Sequence, residues 1–268
     1  MKNSFKTITA IMLFSTVLGA STSFAKEEKD QAKSEATVNF VVGGEEGQTV
    51  PPTHPEKPGN PITPSFPGGG HGEGGPLSID FAPNFNFGEQ KVSAKDEHYS
   101  AKLQEAKDAD DKDIVVPNYV QVSDVRGSME GWELTLTQKD NFISDKDHEL
   151  TGAKITLSNG AVESDMPENT LATNQVTGAV ELTPNVPTKL MVAGEEHGMG
   201  TQTLRFGTLG DDSTEETQKE QAKSVDLFVP HTALQYADES YKTTLEWNLV
   251  SAPGNTETPG NPEETPEA

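Results

Sequence analysis

Two tryptophans are the residues of this chain whose type and spacing most directly suggest binding chemistry. Each is followed two residues later by a leucine, as Trp132-x-Leu134 and Trp247-x-Leu249, and the chain has no other tryptophan. An indole ring offers a flat apolar surface on which the C–H face of a sugar can stack. In a strand, however, residues two apart share a face, so each leucine points the same way as its tryptophan. This favours the alternative in which both indoles anchor a core, each contributing about 3 kcal/mol.

Arginine is the second residue type that could recognise a ligand, because its planar guanidinium matches a carboxylate. The chain has only two arginines, Arg126 and Arg205, against 18 lysines. Arg126 lies two residues from Asp124, so a strand would place both on one face. We favour a structural pair that fixes the turn before the Trp132 strand, and binding of a peptide carboxylate is the alternative. Arg205 follows the glycine-rich "EEHGMG", which is either a functional loop or an ordinary hairpin connection.

Two acidic runs could offer oxygen ligands to calcium: "DADDKD" at 108–113 and "GDDSTEE" at 210–216. The first lacks the glycine and distal glutamate of an EF-hand loop, and we interpret both as solvated acidic loops. The six histidines form no HExxH motif or other close pair of ligands. With no cysteine in the chain, thiolate metal sites are excluded as well. We therefore expect neither a metal nor a cofactor.

No catalytic constellation is evident in the sequence. Cysteine nucleophiles do not exist here, GxSxG is absent, and the only S-x-x-K match runs from Ser23 to Lys26 across a predicted cleavage site. The 43 acidic residues include many chance pairs, but nothing places two of them across a cleft as glycoside cleavage requires. We predict that the protein is not an enzyme and has no catalytic residues.

The elements that must position these residues are short strands. From Leu77 to Pro253, apolar residues alternate in about ten segments such as "WELTLT" and "KITLS". Asn159-Gly160 is a strong turn signal, and convincing helical periodicity is absent. We interpret "STEETQKEQAK" as a solvated loop rather than a helix. The pattern predicts an all-β fold, an antiparallel β-sandwich of Ig-like or barrel-like form.

The N-terminal part of the chain differs in composition from this β-rich region. Residues 1–25 predict an export signal, because two lysines precede an apolar run and the small-x-small site Ser23-Phe24-Ala25. A charged spacer (26–36) leads to "TVNFVV" (37–42), an isolated strand that we expect to pair with the main domain's sheet. Alternatively, this segment is disordered until a partner protein offers it a free sheet edge.

Ten glycines and eight prolines in residues 43–76 predict a linker. We assign the domain to 77–254 and a disordered acidic tail to 255–268.

Charge and anchoring signals limit the possible partners. The net charge is −23, and removal of the predicted signal would leave 18 basic and 43 acidic residues. Such a chain repels nucleic acid and anionic lipid. No later apolar run approaches spanning length, so we expect a secreted, extracellular protein without direct membrane insertion. The C-terminal residues show no sorting motif, and any retention on a cell should therefore be non-covalent.

Several segments resemble the WxL domain of Gram-positive surface proteins. They are "YVQVSDVRGSMEGWELTL", "LTGAKITLSNG", "LRFG" and "YKTTLEWNLVSAP", and they carry both motifs in the expected order. The resemblance covers roughly residues 75–254. It implies a small secreted member that attaches non-covalently to the wall through peptidoglycan, within complexes of other cell-surface proteins. The alternative is an interaction module that docks onto partner proteins, for example by strand addition, and reaches the wall only through them.

Overall fold

A computed structural model describes residues 34–65 and 69–251. The predicted export signal, most of the charged spacer and the predicted tail lie outside these residues. The chain divides after Phe40 into two units. All the described strands lie in the second unit, from Val41 onwards.

Nearly all the regular structure is β, as the alternating pattern predicts. The described helical elements are a 3-10 turn at Glu168–Thr170 and one α-helix, α1 (Glu215–Ala222). The described strands, in chain order, are β1 (Thr53–His54), β2 (Lys57–Pro61), β3 (Thr63–Pro64), β4 (Leu77–Phe81), β5 (Glu97–Ser100), β6 (Gln104–Lys107), β7 (Asp113–Val116), β8 (Asn118–Asp124), β9 (Trp132–Gln138), β10 (Ile143–Ser144), β11 (Lys154–Leu157), β12 (Gly160–Ser164), β13 (Thr173–Asn174), β14 (Val180–Glu181), β15 (Thr188–Ala193), β16 (Gly200–Phe206), β17 (Val225–Val229), β18 (Tyr241–Lys242) and β19 (Leu245–Ser251).

Three four-stranded antiparallel sheets form the body of the second unit. Sheet A has the strand order β12-β16-β8-β4, sheet B the order β13-β15-β9-β19, and sheet C the order β14-β11-β17-β5. Smaller sheets join β1 to β2, β10 to β18, and β3 to β6 and β7. In sheet B, β9 is therefore an inner strand and β19 an edge strand. The Trp132 motif therefore has a neighbouring strand on each side, whereas the Trp247 motif has one on a single side.

One hydrophobic cluster joins the inner faces of all three sheets. Val122 of sheet A, Leu134 of sheet B and Leu227 of sheet C all belong to it. The sheets are arranged like the blades of a propeller around this core rather than as two clear layers. The predicted all-β, antiparallel class is therefore confirmed, whereas the two-layer sandwich is not clearly formed.

The segment predicted to be a linker belongs to the folded unit. Residues 48–65, here called the strap, include β1 to β3 and lie over the face of sheet A that carries Asp80, Gln121 and Tyr119. Beneath them the Asp80 carboxylate, 3% exposed, accepts hydrogen bonds from the Val50 amide at 3.0 Å and from Ser78 at 2.7 Å. Gln121 accepts the Thr53 amide at 2.8 Å. The linker prediction is wrong because proline and glycine content does not reveal that this face of sheet A is covered by the strap, through both hydrogen bonds and apolar contacts.

Two local predictions also differ from the structure. Residues 37–42 form no strand, although a paired strand is predicted there, and their large apolar side chains are exposed. Residues 215–222 form helix α1 where a loop is predicted. The Thr214 hydroxyl caps that helix by accepting the Thr217 amide at 3.2 Å, and two glutamates occupy its first turn. Both features stabilise a helix N-terminus without requiring an apolar face.

Candidate functional site

The two tryptophan motifs meet across neighbouring strands of sheet B. Leu134 of β9 lies opposite Leu249 of β19, and Leu136 lies opposite Trp247. Antiparallel pairing places Trp132 at the other end of the contact, opposite Ser251. Segments 115 positions apart in the sequence thus form a single cross-strand cluster, which stabilises the sheet through direct side-chain pairs.

Trp132 is a core residue and offers no surface to a ligand. Its side chain is fully buried, and its indole Nε1–H donates to the Gly198 carbonyl at 3.0 Å. Gly198 has a φ of +84°, and a Cβ at that position would lie 2.4 Å from Nε1. The sugar-platform interpretation is therefore wrong for Trp132. The "EEHGMG" segment connects β15 to β16 and holds the indole in place.

The structure supports the structural interpretation of Asp124 and Arg126. The guanidinium donates from Nε to Oδ1 at 3.0 Å and from Nη2 to Oδ2 at 2.7 Å, which is a bidentate pair. Nη2 also donates to the Gly131 carbonyl at 2.8 Å, and Nη1 donates to Ser251. Hydrogen bonding to Asp124 raises the pKa of Arg126. This nearly buried pair ties the end of β8 to β9 and β19, which leaves neither side chain available to a ligand.

Arg205 is also engaged within the fold. It lies on β16 and is 9% exposed. Nη2 pairs with Glu163 at 2.8 Å, and Nη1 donates to the Gly207 carbonyl at 2.7 Å. A ligand would have to displace these partners, so the structure does not favour Arg205 as a binding residue.

Trp247 differs from the other candidate binding residues because it borders open space. It is half-buried on the inner face of edge strand β19, and its ring lies 6.5 Å from that of Phe85 at 68°. Both rings line a cleft of about 1580 Å³. A volume of that size can hold a ligand larger than a single sugar. Among the five candidate binding residues, Trp247 is the one that a ligand could reach.

One wall of this cleft is residues 83–92, which have no regular structure. Within it Phe85 and Phe87 are half-buried, and the residues between and beside them are exposed. Phe87 packs edge-on against Phe142, with ring centroids 6.3 Å apart. The alternation in "PNFNFG" is therefore a signal in the sequence for this wall, but without a paired strand it does not predict a cleft.

Residues 235–245 form a second wall of the cleft. Tyr236, 42% exposed, stacks on His148 with ring centroids 3.9 Å apart. His148 Nδ1 lies 2.8 Å from a Glu239 carboxylate oxygen, and Lys146 Nζ lies 3.3 Å from the other oxygen. Burial alone would raise the pKa of Glu239, but hydrogen bonds from His148, Ser144 and Lys146 outweigh it and hold the pKa below the usual 4.5. We call this group the clasp, because it fixes this wall of the cleft to β10. It consists of Ser144, Lys146, His148, Tyr236 and Glu239.

The acidic runs considered for calcium are arranged as turns. In the β6–β7 turn, Lys107 Nζ lies 3.2 Å from Asp111 and 3.3 Å from Asp113, and Asp108 accepts backbone amides of the same turn. The second run leads into helix α1. Across residues 34–65 and 69–251, no group of three histidine or acidic side chains is placed to hold a metal ion.

A family model for the WxL domain, described as surface cell wall-binding, matches residues 27–253. The chain belongs to the WxL family. This WxL domain therefore binds components of the cell wall in general and is a cell-surface protein, from a family defined by wall binding rather than by enzymatic activity.

The family match extends further than the resemblance in the sequence suggests. It begins before the strap, which agrees with the strap being part of the folded unit. No curated protein and no solved structure matches the chain. Within the part of the chain that the structure describes, no helix has both the length and the apolar character needed to cross a bilayer.

Proposed function

We propose that this WxL domain attaches non-covalently to the peptidoglycan of a Gram-positive wall by seating it in the cleft between residues 83–92 and 235–245. The observation that supports this most directly is the half-buried pair Trp247 and Phe85 facing an opening of about 1580 Å³. Aromatic rings suit the apolar faces of sugars, and the amide and hydroxyl groups along both walls suit their hydroxyls. Trp132 supports the site indirectly, by anchoring the strand beside β19.

Charge favours a neutral ligand over the anionic polymers of such a wall. The net charge is −23. The cleft itself has more carboxylates than ammonium groups: its charged lining residues are Glu89, Asp145, Asp238, Glu239, Lys91 and Lys242. A polyanion such as teichoic acid would be repelled. Binding through hydrogen bonds and ring contacts should change little between low and high salt, because screening acts mainly on charges. A steep loss with salt would contradict this mechanism.

Sedimentation with protein-free sacculi tests the proposal directly. We expect the purified protein to sediment with bare sacculi. Trp247→Ala and Phe85→Ala should each weaken binding about tenfold or more, since aromatic residues at the centre of a site dominate affinity. Val186→Ala is the matched control, because Val186 is 51% exposed and lies outside the cleft. Unchanged binding by both cleft variants would remove the cleft from the proposal.

The same assay tests the proposal that the protein is not an enzyme. Because the proposed function is attachment alone, incubation with sacculi should release no soluble wall fragments. Fragments that appear with the purified protein and are lost with a cleft variant would replace attachment by hydrolysis.

The second candidate function is docking onto other cell-surface proteins, which would then hold the protein on the wall. The observation that favours it is the open edge of β19, since an exposed edge can accept a strand from a partner. Retention on sacculi only after partner surface proteins are added would favour docking. Retention on bare sacculi favours direct attachment.

A further inference from the structure

Residues 37–42 have the composition of a strand but no strand partner. Val38, Phe40, Val41 and Val42 are 72%, 91%, 90% and 60% exposed. No charged residue occurs from Thr37 to Gly44, in a chain of which 24% of the residues are charged. An uncharged segment with a high propensity for β-structure and exposed apolar side chains is the kind that pairs with a free sheet edge.

A free edge is present at β19. The Lys139 amide donates to the Thr244 carbonyl, and the pairing continues without a bulge to Ser251. Since hydrogen-bonded and non-hydrogen-bonded pairs alternate in an antiparallel ladder, the amides of Leu245, Trp247 and Leu249 point away from β9. Among residues 34–65 and 69–251, no backbone group pairs with that side of β19.

The two segments also match in side-chain pattern. Residues 245, 247 and 249 are half-buried on the inner face of β19, which shows that the core beneath this edge is incompletely covered. An added strand at 37–42 would place Val38, Phe40 and Val42 on that same inner face. Its outer residues would then lie beside Glu246, Asn248 and Val250, which are exposed.

We propose that residues 37–42 of one copy add as a strand to the open edge of β19 in a second copy. Each copy has one such donor and one such acceptor, so copies can associate head to tail, into closed rings or open chains. The net charge of −23 on each copy opposes this association, so added salt should strengthen it by screening. The proposal does not rest on wall binding, because it is argued from residues 37–42 and the edge of β19 alone.

The mass of the mature full chain in solution, measured by light scattering, gives the first test. The mean mass should rise with protein concentration and with salt. Phe40→Asp should weaken association about tenfold or more, because it places a charge where an apolar ring is buried. Val186→Asp is the matched control, since it places the same charge at another exposed apolar residue. A monomer at all concentrations, or association that Phe40→Asp leaves unchanged, overturns the proposal.

Cysteine cross-linking gives the second test, because the chain contains no cysteine of its own. Two single variants, Asn39→Cys and Asn248→Cys, should form a mixed disulfide dimer under mild oxidation. Thr177→Cys is the control acceptor, since Thr177 is exposed and lies just beyond β13, at the opposite edge of sheet B. Equal cross-linking to position 177 overturns the proposal. So does a disulfide that forms only within a single chain carrying both Asn39→Cys and Asn248→Cys, since the occupant would then be the same copy.

Discussion

The two tryptophan motifs have the same spacing but differ in their surroundings. Trp132 lies on β9, which has a strand on each side, and its indole is fully buried with its N–H hydrogen-bonded. Trp247 lies on β19, which has a strand on one side only, and its indole is half-buried beside the cleft. One motif therefore stabilises the fold, and the other is able to meet a ligand.

The difference shows that a strand's place in its sheet, rather than its own alternation, decides what an inward tryptophan does. An inner strand is covered by neighbours and by the opposing sheets, so its inward face is closed. An edge strand is covered only as far as the flanking loops reach, and here residues 83–92 and 235–245 leave an opening. Alternation predicts which way each side chain points, but it does not predict what lies in front of it.

The largest expected effect is that of truncating the buried tryptophan. Trp132→Ala should destabilise the protein by about 4 kcal/mol, because it leaves a cavity and an unpaired Gly198 carbonyl. Trp247→Ala should destabilise it by about 1–2 kcal/mol, since part of that ring is already in contact with water. Denaturant unfolding of both variants measures this difference. Equal losses would mean that the two motifs are equivalent after all.

Much of sheet B could be predicted from the sequence, because "WELTLT" and "LEWNLV" alternate clearly and both lie within strands. The cleft could not, since its walls carry little regular structure and their positions depend on contacts between segments far apart in the chain. The strap cannot be predicted from the sequence for a similar reason. Its prolines and glycines resemble a linker. It is fixed in place by hydrogen bonds to the buried Asp80 and Gln121 and by Ile62, which packs in a cluster with Phe81 and Tyr119.

The second effect concerns the pair that joins β8 to both tryptophan strands. Arg126→Ala should destabilise the protein by about 3 kcal/mol, because the Asp124 carboxylate, with a side chain 5% exposed, loses its bidentate partner. Arg126→Lys should recover only part of this, since an ammonium group cannot form the two parallel hydrogen bonds. Lys189→Ala is the control, because its pair with Glu133 is more exposed and should matter by less than about 1 kcal/mol. If all three variants melt alike, the pair does not join these strands.

The third effect concerns the backbone that faces Trp132. Gly198→Ala should destabilise the protein by about 2 kcal/mol, because its φ is +84° and the new Cβ would lie 2.4 Å from the indole nitrogen. Gly178→Ala is the matched control, since a Cβ there meets no atom within 4 Å and its φ is not positive. That substitution should be neutral or stabilise by about 0.5 kcal/mol. Similar melting temperatures for the two variants would show that the Gly198 turn is not needed to seat the indole.

The smallest effect is expected at the clasp, which belongs to a wall of the cleft that Trp247 lines. The pKa of Glu239 is lower in the folded protein than its usual 4.5, so the folded state holds the ionised carboxylate more strongly than the unfolded chain does. Its stabilising contribution is therefore fully present above about pH 5.5 and is lost as the pH falls through the lowered folded-state pKa. In Glu239→Gln this contribution is absent at every pH. The melting temperatures of the two proteins should therefore differ most above about pH 5.5 and converge towards pH 3. A difference that stays constant down to pH 3 would mean that the carboxylate does not hold this wall of the cleft through its charge.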